Sequence, residues 1–513
     1  AASRVAEAIN SQERITVWSD YDCDGIPGGS LMHDFLKKAG ANFTNYIPHR
    51  HLEGYGVNVN GIETLAKEGT TLIVTVDSGI TDVEAVARAR ELGIDVIVTD
   101  HHLPQETLPD AFAILNPNAR EEETYPYKSL CGAGVAWKLV CAVLAHGFIG
   151  RELIPVGWEK WLLDLAGIAT IADMVPLTGE NRVIAKYGLL VMRKSPRFGF
   201  QKLCAQARVN QRFITEDDVG FMIAPRINAA SRMGNPRDAF QLLTTTSEDE
   251  ASELARTLET VNRSRKASAG AITKAVHARL ERLREAEGDI PSVIVMGDPE
   301  WRPGLLGLVA SGIADEYERP VYLWGREGNE SLKGSCRGGP ENIHVVELMQ
   351  AARPGTFAGF GGHAAAGGFS VLPEAVFDLS ERLIEARAKL VKTQGADEVR
   401  ADLHLSPDDI THALLKQLDM LAPFGMGNPK PTVALSSVRI ERIAWFGKSS
   451  EHLRVHIRRE EGPLEAIAFF ARRDLGRAPD RLSPGSEVHL HAFVERDQFS
   501  RGQPVRLRLL GIR

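Results

Sequence analysis

The stretch "ITVWSDYDCDGIPGG", Ile15 to Gly29, sets an apolar run against three aspartates at alternate positions, Asp20, Asp22 and Asp24, with glycines behind them. A short β-branched and aromatic run of this kind reads as a strand covered on both faces. Carboxylates crowded at its end repel one another unless a cation or a proton relieves them. The stretch is therefore either an acidic surface turn or a divalent-metal site, and the text downstream decides between the two.

Two more apolar runs end in the same way. "TLIVTV" (Thr71 to Val76) leads into Asp77, and "DVIVT" (Asp95 to Thr99) leads into Asp100, His101 and His102. Between them "TDVEAVARARELG" places Val83, Val86, Ala87, Ala89 and Leu92 at helical spacing and closes on Gly93, which makes a βαβ unit and predicts a doubly wound parallel sheet. Loops at the carboxyl ends of such strands converge on one crevice. "IADMVPL" adds Asp173 at the end of a helical stretch read from Trp158 to Ile171. One aspartate after one strand is more simply a helix cap; the combined set favours metal. Carboxylates dominate, imidazole is the minority and no thiolate belongs to the set, so Mn²⁺ or Mg²⁺ fits better than structural zinc. So many ligands suit a pair of ions, which clamp both oxygens of an in-line phosphoryl displacement. Cys23, on the alternate face, reads as filler.

The 513 residues exceed one core and predict about three domains. No apolar run reaches the roughly 18 residues of a membrane span, and the opening does not read as a signal peptide. Five scattered cysteines without a C-x-x-C pair suggest reduced thiols, and the expected location is cytoplasmic. Net charge is −7, yet residues 433–513 hold 15 Lys+Arg against 10 Asp+Glu, so the body carries −12 and the tail +5. A basic end on an acidic body allows a localised nucleic-acid surface. Near Ser247 a proline-free, helix-periodic run begins and continues to Gly288. A second α/β pattern opens at "PSVIVMGD", and after "LAPFGMGNPKP" short alternating strands suit a small OB-like barrel. The predicted organisation is 1–246, a parallel-sheet domain; 247–288, a long connecting helix; 289–395, a smaller α/β domain; 396–432, a connector; and 433–513, the barrel.

"DYDCDG", "VDSG", "TDHH" and "ADMVPL" resemble, in order and spacing, the four motifs of the DHH phosphoesterase superfamily. "IPHRHLEGYGVN", "LNPN", "CGAGVAWKL", "APRINAASRMG" and "LAPFGMGNPKP" are similar to its RecJ-type branch, bacterial single-strand-specific 5′→3′ DNA exonucleases, while "KGSCRGG" and "GGHAAAGG" resemble that branch's DHHA1 domain and the tail its OB-fold. The resemblance covers nearly the whole chain. It implies that Asp22, Asp24, Asp77, His101, His102 and Asp173 hold two divalent metals, Mn²⁺ preferred or Mg²⁺, and carry catalysis, with Asp77 bridging. Asp20 is either a further ligand or a carboxylate behind the ligands, and Asp100 orients an imidazole. It further implies a 5′-phosphate pocket at Arg50, Ser335 and Arg337, a base-stacking Tyr55, contacts to the scissile phosphate from Arg226, Asn228 and Arg232, and substrate contacts from Gly361, Gly362 and His363. Ser231 stands where the branch usually has glycine.

The implied activity is release of mononucleotides from single-stranded DNA in repair and recombination, by a monomer that a single-strand-binding protein or a RecQ-type helicase recruits. Trp445, Phe446, Phe493 and Phe499 are the aromatic candidates for the barrel's groove. A small-substrate phosphodiesterase acting on short oligonucleotides or cyclic dinucleotides is the alternative. Such relatives lack the OB-like tail and the "PFGMGNP" connector, both present here. A non-catalytic DNA-binding scaffold would have lost metal-ligand residues, and all of them are present.

Overall fold

The computed structural model describes the chain except residues 51, 121–123, 327–331, 340–342, 363, 391–400, 477 and 498–503. Its first sheet is built from β1 (Ile15–Ser19), β2 (Phe43–Tyr46), β3 (Leu72–Val76), β4 (Asp95–Thr99) and β5 (Ala113–Leu115), all parallel, in the order β2-β1-β3-β4-β5. Every residue of β1 and β3 is buried, because helices cover both faces. Ile15, Val17, Val74 and Ile97 pack with helix α1 (Gly25–Lys38) and helix α2 (Gly132–His146). Trp18, Ile73, Val96 and Val98 pack with helices Val59–Lys67 and Val83–Glu91 on the other face. Each such large apolar side chain contributes about 1.5–3 kcal/mol on full burial.

Register is what positions the site. Ser19 pairs with Val76, and Val74 with Ile97, so Asp20, Asp77 and Asp100 form one row a residue beyond the strand ends. Their amides still continue the ladder, Asp20 N to Val76 O at 3.1 Å, Asp77 N to Thr99 O at 2.9 Å and Asp100 N to Leu115 O at 3.1 Å. Asp173 follows helix α3 (Leu163–Ala172), which is preceded by a 3₁₀ turn over Trp158–Leu162 rather than running unbroken from Trp158.

Contacts divide the chain into two compact units, Ala1–Ser231 with Asn235–Glu259 and Glu398–Arg513, and Arg232–Gly234 with Thr260–Asp397. The division cuts the long helix, which runs unbroken over Glu248–Glu287. Ala251, Ala255 and Leu258 belong to the core of the first unit, and Ile272, Val276 and Leu280 to that of the second. The second unit holds a mixed sheet of β6 (Ile294–Gly297), β7 (Val321–Gly325), β8 (Leu332–Arg337), β9 (Phe357–Gly362) and β10 (Ala366–Val371), in the order β6-β7-β8-β10-β9.

The barrel belongs to the first unit, not to a separate one. Short β11 (Leu403–Leu405) leads to β12 (Thr432–Phe446), β13 (His452–Ile457), β14 (Leu464–Ala468), β15 (Glu487–Arg496) and β16 (Val505–Ile512). Pairing of β12 with β15 closes a five-stranded barrel, which removes the exposed sheet edge. Among the described residues no helix is long and apolar enough to cross a membrane.

Candidate active site

The acidic loop is folded by its own carboxylates. Asp22 Oδ1 accepts from the amides of Asp24, 2.7 Å, and Gly25, 3.1 Å, and so satisfies the open start of α1. A Cβ at Gly25 would lie 2.4 Å from the Asp20 carbonyl oxygen, which explains the glycine. Asp24 faces a different helix. Its Oδ2 accepts from Gly132 N at 2.6 Å and its Oδ1 from Ala133 N at 2.8 Å, at the positive end of α2. A Cβ at Gly132 would fall 2.5 Å from Asp77 Cβ, so only glycine lets α2 approach both aspartates. The sequence showed "CGAG" as a resemblance without a task; this contact is the task, and no local pattern discloses it.

Asp77 sits at φ +61°, in the left-handed region that non-glycine residues seldom enter. Asp100 behaves differently from its neighbours in the row. Its Oδ1 accepts from His101 N (2.7 Å), His102 N (3.1 Å) and His102 Nδ1 (2.8 Å), and its Oδ2 from Ile80 N (3.0 Å). It is thus a brace for the histidine pair. His101 Nε2 points into the cluster, 3.2 Å from Asp77 Oδ1 and 3.7 Å from both Asp24 Oδ2 and Asp173 Oδ2. Tyr55 closes the side of the cluster, its hydroxyl 3.2 Å from the Asp77 carbonyl oxygen and 3.1 Å from His102 Nδ1.

Three sets of potential ligand atoms lie within 4.8 Å of one another: Asp77, His101 and His102; Asp24, His101 and Asp173; and Asp20, Asp22 and Asp77. Asp77 joins the first and the last. Asp20 Oδ1 and Asp77 Oδ1 are buried without a hydrogen-bond partner, a costly condition that a cation relieves. Burial and mutual repulsion push Asp20, Asp24 and Asp77 up, and Asp173 up to about 9. Burial lowers His101, keeping it neutral with a lone pair to offer. For His102 burial acts in the same direction, but the Asp100 hydrogen bond and charge raise it. An oxygen-rich, partly imidazole set with unfilled lone pairs fits two hard or borderline divalent cations.

The expected substrate contacts divide. Arg50 lies with its guanidinium 5.1 Å from the Tyr21 ring centroid, and its charge lowers Asp20, so it stands beside the acidic loop. Tyr55 keeps 45% of its surface exposed, leaving its ring open. Asn228 Oδ1 accepts from Cys23 N at 3.0 Å and steadies the acidic loop. Arg226 is buried in helix α4 (Ala224–Met233), donating to Glu259 Oε2 at 2.8 Å and to the Met222 carbonyl at 2.6 Å. Ser231 is buried within α4, donating to the Asn228 carbonyl, where no glycine backbone is required.

In the second unit Arg232 donates to the Gly304 carbonyl at 2.6 Å. Ser335 and Arg337 lie on one face of β8 over Gly307 of the helix Pro303–Tyr317, where a Cβ would come within 2.9 Å of the Arg337 guanidinium. Gly362 takes φ +139° and packs on Ala366, whereas Gly361 faces open space. His363 and Phe499 lie outside the described residues.

On the barrel, Arg472 stacks 4.4 Å from the Trp445 ring and Arg454 5.2 Å from that of Phe446, while Phe446, Phe469 and Phe470 surround His452. Phe469 and Phe470 follow β14 and come beside Phe446 through the antiparallel pairing of β12, β13 and β14, which the sequence reading did not register. Phe493 instead lies under Lys430 of the connector.

The DHH family, N-terminal domain, matches residues 14–170, the DHHA1 domain residues 291–389 and the RecJ OB domain residues 401–510. The single-stranded-DNA-specific exonuclease RecJ of Bacillus subtilis is 36% identical over 96% of this chain, which spans 60% of that protein's length. That of Haemophilus influenzae is 34% identical over 91% of this chain and 83% of its own. The crystal structure of RecJ in complex with Mn²⁺ from Thermus thermophilus superposes with a TM-score of 0.81 at 29% identity, covering 100% of this chain and 70% of that one. A crystal structure of exonuclease RecJ bound to manganese gives 0.62 at 34% identity over 76% of this chain and 94% of its own. The shared domains and the shared sequence together establish that the chain belongs to the RecJ family of single-stranded-DNA-specific exonucleases.

Proposed function

We propose that the chain hydrolyses single-stranded DNA from the 5′ end, releasing mononucleotides, with two divalent cations, Mn²⁺ or Mg²⁺. The observation that carries this is the convergence on His101 Nε2 of carboxylates from three separate segments, Asp24, Asp77 and Asp173. These four residues would hold one cation, and Asp20, Asp22 and Asp77, with His102 beside Asp77, would hold the other. When bound, the pair supplies Lewis acidity toward the phosphodiester oxygens. The helix dipole of α2 and the Asp100 brace keep Asp24 and His102 aimed before substrate arrives. Burial excludes bulk water from the carboxylates and strengthens every charge interaction there.

Arg50 takes the phosphate beside the acidic loop, Tyr55 offers its ring to a base, and Ser335 with Arg337 forms a phosphate contact on the second unit. Gly361, Gly362 and His363 contribute substrate contacts there. The division into 1–246, 247–288, 289–395, 396–432 and 433–513 is our functional assignment. The barrel's arginine-aromatic face tracks the strand.

Single strands labelled at either end, incubated with Mn²⁺ and with chelator, test the reading. Labelled mononucleotide should appear first from the 5′-labelled strand and only with metal. Degradation from the 3′ end, or turnover of dinucleotides alone, overturns it.

A further inference from the structure

Asp173 enters the cluster from the end of α3, and the chain leaves it through Met174 at φ +59°. Asp173 N still donates to Ala169 O at 2.9 Å, so α3 holds its backbone; the strip that follows, residues 175–178, is held between two neighbours. One side of that strip is held by the first domain. Tyr127 donates to the carbonyls of Pro176, 3.1 Å, and Thr178, 2.8 Å, and Asn181 Nδ2 donates to Pro176 O at 3.1 Å.

The other side is held by the connector to the barrel. Leu177 N donates to Met426 O at 2.6 Å. The "PFGMGNP" segment is a turn closed on itself: Gly425 and Asn428 exchange backbone bonds of 2.9 and 3.1 Å, and Asn428 Nδ2 donates to Pro423 O at 2.8 Å. Its glycines are where the two segments touch. A Cβ at Gly425 would lie 2.8 Å from Leu177 Cδ1. Gly427, at φ +69°, would place one 3.2 Å from Pro176 Cβ and 3.3 Å from Thr178 Cγ2. The turn is moored at two further points, Phe424 N to Glu216 Oε1 at 3.0 Å and Arg182 Nη2 to Leu421 O at 2.6 Å, and just beyond it Lys430 reaches Asp217 at 3.3 Å. Glu216 is itself buried, so its bond to the turn is shielded from water and worth more than a surface contact.

The geometry points to the turn over residues 421–428 as a positioning element for Asp173: the segment that tethers the barrel also aims a metal-holding carboxylate. Gly427 and Glu216 are its positioning residues. Undocking the turn weakens cation binding at the Asp173 side while leaving the DNA-binding surfaces intact. This rests on the assignment of Asp173 as a metal-holding residue.

The test uses the full chain with Gly427→Val, Glu216→Ala and Glu216→Gln, whose amide oxygen can still accept the Phe424 amide. Mn²⁺ is titrated calorimetrically into the metal-free proteins, and DNA affinity is measured in chelator. Gly427→Val and Glu216→Ala should bind Mn²⁺ roughly threefold to tenfold more weakly, at or below the tenfold-to-hundredfold range for partners of a ligand. Glu216→Gln should recover most of the loss, kcat at limiting Mn²⁺ should fall with KM for DNA unmoved, and DNA affinity should stay within about twofold. If Gly427→Val does not fold, the Glu216 pair carries the comparison. Unchanged Mn²⁺ affinity in these variants, with Asp173→Asn still weakening it, overturns the inference. Unchanged affinity in Asp173→Asn overturns the assignment beneath it.

Discussion

The carboxyl edge of the parallel sheet and the arginine-aromatic face of the barrel handle charge in opposite ways. At the sheet Asp20, Asp24, Asp77 and Asp100 are each at most 4% exposed, and only Asp100 has both oxygens well supplied with donors that belong to its own row of loops. On the barrel, Arg472 and Arg508 are exposed and spread over the rings of Trp445 and Phe469. Buried oxygens with unfilled lone pairs suit a few short, direct bonds to cations. Stacked guanidinium groups facing water suit many weak, salt-sensitive contacts to a strand.

The largest expected effect breaks the sheet side of that contrast. Asp77→Asn should lower the exonuclease rate by about a thousandfold or more, since metal ions contribute several kcal/mol to the transition state; a steady-state assay on a single strand reads it. Chelation should abolish activity and lower the melting temperature. Restoring Mn²⁺ to 100 times its Kd should return about 2.7 kcal/mol of stability, a shift visible by calorimetric scanning and absent from Asp77→Asn. Asp100→Asn sharpens the difference within the row: it should weaken Mn²⁺ binding about tenfold to a hundredfold by loosening His102, measured by titration calorimetry. On the barrel, Trp445→Ala or Phe446→Ala should cost roughly 1 kcal/mol or more of DNA affinity with kcat at saturating DNA unchanged. Arg472→Ala, smallest of all, should reduce the salt dependence of binding by about one charge, read from affinities across a salt series.

Legibility followed burial. β1, β3 and β4 were readable because they are covered on both faces and so are mostly apolar and β-branched. The edge strands Phe43–Tyr46 and Ala113–Leu115 are half-buried and short, so they leave little pattern. Asp20, Asp77, Asp100 and the histidines were readable because a strand end announces itself and a parallel sheet gathers its carboxyl ends. The ion pair of Arg226 was not legible because its partner, Glu259, lies 33 residues away. The tasks of Gly132 and Gly427 were hidden because close approach is a property of two segments, never of one.

By itself the sequence determined which strand ends carry acid, which ions suit those donors, and that a small basic barrel follows. These depend on residue type and short-range period, which the chain displays directly. Only the tertiary structure decided that Asp77 is held at a positive φ and that Asp20 Oδ1 and Asp77 Oδ1 are buried without a hydrogen bond. It also decided that the start of α2 grips Asp24 and that the connector to the barrel backs the Asp173 loop. Those distinctions rest on which hydrogen bonds each buried oxygen finds, and that is settled when distant segments pack.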